Sequence, residues 1–290
     1  MTVESGMGSV QEARVRHVFH PSDFSEASEV AFAHALKIAL LRRASLDIMH
    51  VASDATTEWS DLTGVRPMLE RWGLLPPGSR RTDVAGLGIH VRKVMAHDRN
   101  PVRAVLKYLD AHPTDLIVLA TSQHDGRLGW LKQSVARPIS QDAGEMTLFL
   151  PSGTDGFVSV LDGSVTLNSI LVPIAKDPRA QPAIEATRRI TEELSLAGGA
   201  VTLLHIGHEA DVPSVEVPRE TGWTWTTLVR EGDVVDMIAQ AARETGAGLV
   251  VMATNGRNGF LDALRGSHSE RVLSKIGCPL LNLPVGSFLG

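Results

Sequence analysis

The chain has 290 residues, of which 43% are hydrophobic and 21% charged, so it has the composition of a globular protein and exceeds the usual length of one domain. A net charge of −5 without a long basic run argues against nucleic acid as a partner. One cysteine excludes an internal disulfide, and no stretch reaches the roughly 18 apolar residues of a membrane span, so we expect a cytoplasmic protein with no membrane partner.

Strands and helices alternate in the first half of the sequence. Residues 15–19 predict the first strand, after which Ser25 is the candidate N-cap of a helix. Asn100 followed by Pro101 predicts a second cap and helix start. The remaining predicted elements are strands at 45–51, 89–96, 116–121 and 147–150, a helix at 61–72 and a loop at 74–88.

From Asn168 the same order begins again. Pro21 matches Pro173, and the His-Val pair at 50–51 matches His-Ile at 205–206. Three later segments share one offset, namely 100–102 with 233–235, 116–121 with 249–254, and 148–151 with 281–284. The second repeat has little room for a counterpart of the helix at 61–72.

The segment between the repeats predicts a hairpin. Asp162-Gly163 lies between two β-prone runs, a pattern typical of a type I′ turn. We therefore expect a first repeat at 1–153, a connecting hairpin at 154–168 and a second repeat at 169–290.

Alternating strands and helices predict a mostly parallel sheet, whose ligands bind beyond the carboxyl ends of the strands where the strand order reverses. The segment 249–274 has the required pattern of an apolar strand, a glycine-bearing loop and an amphipathic helix. Such a loop presents backbone N–H groups to a phosphate. An ordinary turn between a strand and a helix is the alternative reading of this loop.

Several motifs resemble the universal stress protein family in a tandem arrangement: PSDFSEASEVAFAHAL at 21–36, the His-Val pair, and Asn-Gly-x9-Gly-Ser after LVVMAT. The resemblance implies an α/β fold of two repeated Rossmann-like domains. Each would be a five-stranded, mostly parallel sheet of order 3-2-1-4-5 flanked by helices. Members of the family dimerise through their fifth strands, so the two repeats would form an intrachain pseudo-dimer. A homodimer of the whole chain and an unidentified protein partner stay open.

Nucleotide-binding members of the family carry G-x2-G-x9-G-[S/T] after the fourth strand and an aspartate after the first. The resemblance therefore implies a stress-response module that binds ATP or another adenine nucleotide, with Mg²⁺ only together with ATP and no resident metal. The site is expected in the second repeat, at Pro173, Ile206, Ala253, Gly256, Gly266, Ser267 and His268.

Neither repeat matches the whole pattern. In the second repeat Ala253 replaces the first motif glycine and Ala175 replaces the aspartate, although Lys176 is a weak candidate for a phosphate contact. In the first repeat the aspartate is present as Asp23, a weak candidate together with Val51. Its loop, however, has Ala120, Gln123, Gln133 and Ser134 at the motif positions, and Pro138 interrupts the next helix. We expect the first repeat to be a scaffold.

Enzyme motifs such as GxxxxGK[ST] and G-x-S-x-G are absent from the sequence, so no catalytic residue is predicted, and at most very slow ATP hydrolysis is expected. The alternative function is a nucleotide-free structural or interaction protein that acts through its pseudo-dimer surface.

His50 and His205 are expected to pack or hydrogen-bond at strand ends. Trp223 and Trp225 share one strand face and suggest an inter-repeat or dimer contact. The remaining ligand-contact candidates are His97, His124 and His268.

Overall fold

The computed structural model describes residues 15–23, 25–52, 64–121, 145–219, 222–254 and 268–285. The strands in these ranges are β1 (His17–Pro21), β2 (Ser45–Ala52), β3 (His90–His97), β4 (Leu116–Thr121), β5 (Met146–Pro151), β6 (Ser169–Ile174), β7 (Gly199–Ile206), β8 (Trp223–Arg230), β9 (Leu249–Thr254) and β10 (Leu280–Pro284). The helices are α1 (Glu26–Arg42), α2 (Val65–Arg71), α3 (Arg81–Gly86), α4 (Pro101–Ala111), α5 (Gln181–Glu193), α6 (Val234–Glu244) and α7 (His268–Leu273).

All these strands belong to one sheet of ten, in the order β3-β2-β1-β4-β5-β10-β9-β6-β7-β8. Strands within each half are parallel, and each half has the order 3-2-1-4-5. The predicted fold class is therefore confirmed. The halves join where β5 pairs antiparallel with β10.

The two halves also share their strand register. Val18 pairs with Leu116 in the first half, and their sequence counterparts Ile170 and Leu249 pair in the second. Because a slip of one residue would turn every side chain to the opposite face, this agreement confirms the sequence alignment of the repeats.

Apolar side chains cover both faces of the sheet, as expected for strands with helices above and below. On one face, Val18 of β1 belongs to a core formed with α1, α2 and α5, to which α1 contributes Phe32 and Leu36. On the other face, Phe19 of β1 belongs to a core formed with α4, α6 and α7, to which α6 contributes Ile238. No helix in the described ranges is long and apolar enough to cross a bilayer.

Helices α1 and α4 begin at the predicted caps. The Ser25 hydroxyl accepts a hydrogen bond from the Ser28 N–H at 3.1 Å, and the Asn100 side chain accepts one from the Arg103 N–H at 3.1 Å. Asp233 caps α6 in the same way. Each side-chain oxygen satisfies a backbone donor that the first helical turn leaves without a partner.

Two element predictions need correction. The loop expected at 74–88 contains α3, where the Asp83 carboxylate accepts the Arg80 N–H at 2.6 Å and stabilises the first turn. The turn signal of Pro76-Pro77-Gly78 concealed this short helix. The helix expected at 61–72 is α2, which begins at Val65, and residues 61–63 lie outside the described ranges. In the second repeat, the described residues between β7 and β8 contain only a short 3₁₀ turn at Glu209–Asp211.

The connector is a hairpin with a wider turn than predicted. A single antiparallel bridge joins Val158 and Val165, and the Ser159 N–H donates to the Ser164 carbonyl at 2.9 Å. The type I′ turn was wrong, because Gly163 has a φ of 69° whereas Asp162 stays at negative φ. The carboxylate of Asp162 instead accepts the Ser164 N–H at 3.0 Å.

A buried histidine fastens this connector to α1. His34 Nδ1 donates to the Val30 carbonyl at 2.8 Å, and Nε2 accepts the N–H groups of Phe157 and Val158 at 2.9 and 3.1 Å. These partners require a neutral ring with its proton on Nδ1. Burial lowers the pKa of His34 to about 4.

Candidate functional site

The carboxyl edge of the second repeat gathers three of the predicted site residues. Strands β7, β6 and β9 are neighbours, and their parallel arrangement brings their carboxyl ends to one edge. Pro173, Ile206 and Ala253 lie in the last two residues of these strands, and each is half-buried. Ile206 packs with the core on the α6 side of the sheet, whereas Ala253 packs with the core on the α5 side, so the residues share an edge but not one face.

The glycine motif connects two elements of this edge. Strand β9 ends at Thr254 and α7 begins at His268, so the strand and the helix on either side of the motif agree with the prediction. Gly256, Gly266 and Ser267 lie outside the described residues, as does the side chain of His268.

The turn after β6 holds a small exposed residue and an ion pair. Ala175 is exposed and makes a bridge with Arg179. The Lys176 ammonium lies 2.9 Å from an Asp211 carboxylate oxygen, and its hydrogen bond lowers the pKa of Asp211. A phosphate that approached Lys176 would compete with this carboxylate.

In the first repeat, Asp23 supports the start of α1. Its carboxylate accepts the N–H of Ser25 at 3.1 Å and the hydroxyl of Ser25 at 2.7 Å. Since Ser25 is itself the N-cap, Asp23 orients the capping side chain. The geometry agrees with a helix-entry role for this aspartate.

Asp23 also lines a small cavity of about 100 Å³ at the carboxyl edge of the first repeat. Its walls are Pro21, Ser22, Asp23, Ser28, Met49, His50, Val51, Val105 and Ala120. Small-molecule pockets usually enclose about 300–1,000 Å³, so this cavity is smaller than an ordinary ligand pocket. The motif positions Gln123, Gln133 and Ser134, together with Pro138, lie outside the described residues.

Histidines at the strand ends make structural hydrogen bonds. His50 Nδ1 donates to the Ser22 carbonyl at 2.7 Å, and His205 Nδ1 donates to the Ile174 carbonyl at 3.4 Å. The two contacts are equivalent in the two repeats, as the sequence analysis expected. His97 is exposed at the end of β3, and His124 lies outside the described residues.

Sequence reasoning missed the buried histidine of β1. His20 is fully buried under Phe32, and its Nδ1 donates to the Val118 carbonyl at 2.9 Å. Burial lowers its pKa to about 4. A single polar residue in an apolar run gives no sequence signal for this role. No cluster of metal-ligating side chains occurs among the described residues.

A second cavity, of about 320 Å³, spans the junction between the repeats. It lies between α1 and α5 above the central strands, and its walls are mostly apolar. They include Ile38, Leu148, Phe157, Ile190 and Leu281. Arg42 and Glu193 form an ion pair at its margin.

Comparison with known proteins decides the family. The model of the universal stress protein family matches residues 14–149 and 216–284, which is more than half of the chain. The chain belongs to this family. A universal stress protein E homolog from Haemophilus influenzae is 44% identical over 57 residues, which are 20% of this chain and 18% of that protein. The chain thus matches only a small part of this curated relative.

Solved structures with the same fold cover nearly the whole chain. A universal stress protein from Archaeoglobus fulgidus has 16% identity and a TM-score of 0.58, covering 93% of this chain and 98% of its own. The cytoplasmic domain of a prokaryotic cation chloride cotransporter has 10% identity and a TM-score of 0.51, covering 94% and 98%. At these identities the similarity shows the fold alone.

Proposed function

We propose that this universal stress protein is a stress-response module that binds an adenine nucleotide at the carboxyl edge of its second repeat. The observation that carries the proposal is that Pro173, Ile206 and Ala253 all lie at the carboxyl ends of neighbouring strands, where the glycine motif leads from β9 to α7. Pro173 and Ile206 would contact the base. The phosphates would lie against the motif glycines, Ser267 and the backbone of His268, and Mg²⁺ would accompany ATP only.

The turn after β6 explains why binding would be weak. Family members place an aspartate where this chain has the exposed Ala175. A hydrogen bond to a charged group contributes about 1.5–3 kcal/mol, or about ten- to a hundredfold in affinity. Restoring the carboxylate should therefore strengthen binding.

Isothermal titration calorimetry of Ala175→Asp with ATP and magnesium, and with AMP, tests this site. We expect affinity to rise about tenfold or more, and Ala253→Gly to add to the gain. Ala200→Asp, which adds the same charge at the amino end of β7, is the matched control and should leave affinity unchanged. Equal effects of the two aspartates would contradict the site.

Gly266→Asp provides the corresponding loss of function. A carboxylate at the predicted phosphate position repels the ligand, and a Cβ blocks its approach, so nucleotide binding should disappear. Thermal unfolding without nucleotide serves as the folding control. Unchanged affinity in a folded variant would rule out the glycine motif as the site.

The apolar cavity between the repeats favours a second candidate, a nucleotide-free interaction protein. Denaturing freshly purified protein and separating the supernatant by anion exchange distinguishes the two. About one adenine nucleotide per chain supports the binding module. No nucleotide, together with no thermal shift in ATP and magnesium, supports an interaction surface at the junction.

A further inference from the structure

Strand β8 forms one outer edge of the sheet and pairs only with β7 among the described residues. The Gly222 carbonyl accepts a hydrogen bond from the N–H of Gly199, the first residue of β7, at 2.9 Å. The Arg230 carbonyl accepts one from the N–H of Gly207, the residue after β7, at 2.8 Å. In a parallel ladder, alternate residues direct both backbone groups to the same neighbour. The even-numbered residues of β8 therefore bond to β7, and the odd-numbered residues turn their N–H and carbonyl groups outward.

Four residues thus present backbone groups to solvent at this edge, namely Trp223, Trp225, Thr227 and Val229. Within the described part of the chain, the one contact to these groups is the Arg230 guanidinium, which donates to the Val229 carbonyl at 3.2 Å. A row of unpaired donors and acceptors is a template for another strand.

The side chains of β8 do not oppose such pairing. Residues 223–229 read WTWTTLV, with no charge and no proline, and the one charged residue of β8 is Arg230 at its end. The opposite edge strand, β3, carries Arg92 and Lys93 at its centre, and edge cations of this kind prevent strand association. The β3 edge is therefore protected against pairing with another strand by charged side chains, whereas the β8 edge is not.

We infer that β8 is a self-association edge, at which two copies of this chain pair antiparallel about a two-fold axis at Thr226. This register places Trp223 opposite Val229 of the second copy and Trp225 opposite Thr227 of the second copy. Each of these pairs exchanges two backbone hydrogen bonds, because both members face outward. Aromatic and β-branched residues directly opposite one another stabilise a sheet.

Charges at the two ends of the strand fit this arrangement. Arg219 is exposed before β8, whereas Glu231 and Asp233 are exposed after it. Antiparallel pairing about Thr226 places Arg219 of one copy opposite Asp233 of the second copy, although Glu220 follows Arg219 and Arg230 precedes Glu231 in the sequence. A parallel pairing in register would instead place Arg219 opposite Arg219, so this opposition supports the antiparallel orientation.

Substitution at the two-fold axis tests the register. Thr226 is exposed, and in this register it lies opposite Thr226 of the second copy. Sedimentation velocity from low to high micromolar concentration should show dimer formation by the natural chain. Thr226→Lys and Thr226→Glu should each raise the dimer Kd about tenfold or more, because like charges then lie directly opposite.

Mixing the two variants distinguishes this interface from misfolding. An equimolar mixture of Thr226→Lys and Thr226→Glu should regain dimer, since opposite charges now meet and only folded chains can pair. Thr224→Lys is the matched control. It adds the same charge on the same face, opposite Leu228 of the second copy, so its Kd should stay within a few-fold of the natural chain.

Three outcomes would overturn the inference. They are a natural chain that stays monomeric at every concentration, an unchanged Kd for Thr226→Lys, and a mixture that shows no heterodimer.

Discussion

His34 can hold the connector only in its neutral form. Its Nε2 accepts two backbone N–H groups, and a proton on that nitrogen would remove the lone pair and oppose both donors. The connector is also held by Trp72, whose Nε1 donates to the Val160 carbonyl at 3.1 Å. Protonation of His34 should therefore weaken this attachment.

Stability should fall as the pH decreases from 6.5 toward 4. Burial lowers the pKa of His34 and of His20 to about 4, from 6.5, so in this window the unfolded chain binds more protons at these two side chains than the folded one. Each histidine then lowers stability by up to about 1.4 kcal/mol per pH unit. Burial raises the pKa of Glu145 to about 7, from 4.5, so this carboxyl acts in the opposite direction and offsets about one histidine. Urea unfolding in the upper half of the window should therefore show that His34→Gln loses most of the natural slope.

His20→Gln is the control for this measurement. It should reduce the slope to a similar extent, because His20 is buried in the same neutral state. Hydrogen exchange in residues 157–166 should rise in His34→Gln and stay unchanged in His20→Gln, since only His34 contacts the connector. Equal exchange in the two variants would contradict the assigned role of His34.

Gly153, just before the connector, and Gly156, within it, should respond differently to alanine. Both have positive φ, 80° at Gly153 and 67° at Gly156, but a Cβ on Gly156 would lie 2.4 Å from the His34 ring, whereas one on Gly153 meets nothing within 4 Å. Gly153→Ala should cost about 1 kcal/mol of backbone strain. Gly156→Ala should cost about 1–3 kcal/mol more, because His34 must move. Urea unfolding measures both, and equal losses would show that the connector does not pack on His34.

The role of a residue was predictable where the donor and the acceptor of its hydrogen bond are close together in the sequence. The caps at Ser25 and Asn100 follow from side chains that bond backbone groups within the next turn. His34 and His20 bond groups far away in the sequence. Their roles depend on the packed fold, which a local pattern does not encode.

At the scale of elements, the alternation of side chains predicted which residues share a face of a strand, but not which strands lie next to each other. Trp223 and Trp225 do share a face and pack partly on the core, yet β8 lies at the outer edge of the sheet. The inter-repeat contact suggested for them was therefore wrong. Alternation specifies which side of a strand is buried, and strand order depends on long-range pairing.

The start of α1 should behave as a coupled unit. Ser25→Ala should lower the free energy of unfolding by about 1 kcal/mol, because the first turn loses its cap. Asp23 acts largely through Ser25, so Asp23→Ala should have a smaller effect in the Ser25→Ala background than in the natural chain. A double-mutant cycle by urea unfolding measures this coupling. Fully additive losses would show that Asp23 acts independently of the cap.

At the scale of the whole molecule, the sequence repeat predicted two like halves, and the family resemblance predicted how they join. The internal register follows from the matched offsets, as the pairing of Ile170 with Leu249 confirms. The antiparallel contact of β5 with β10 has no local signal, because the two strands are distant in sequence. The glycine loop of the candidate site stays a prediction, since Gly256 and Gly266 lie outside the described residues.

The pairing of β5 with β10 predicts that substitutions in the two repeats have coupled effects on the free energy of unfolding. Leu148 of β5 and Leu281 of β10 are directly paired and buried, and both line the junction cavity. Leu148→Ala and Leu281→Ala should each cost about 2–3 kcal/mol, at the low end for buried leucines because a cavity already adjoins them. The double variant should lose less than the sum by about 0.5 kcal/mol or more, since each substitution removes the same contact.

A distant core residue provides the reference for this cycle. Val201 is fully buried in β7, beyond β6 and β9 from the junction, so Val201→Ala combined with Leu148→Ala should be additive within about 0.5 kcal/mol. Urea unfolding of all the variants at one pH gives both cycles. If the leucine pair is as additive as the distant pair, the two repeats do not share this contact in solution. Coupling confined to the leucine pair would instead show that the β5–β10 contact links the stability of the two repeats.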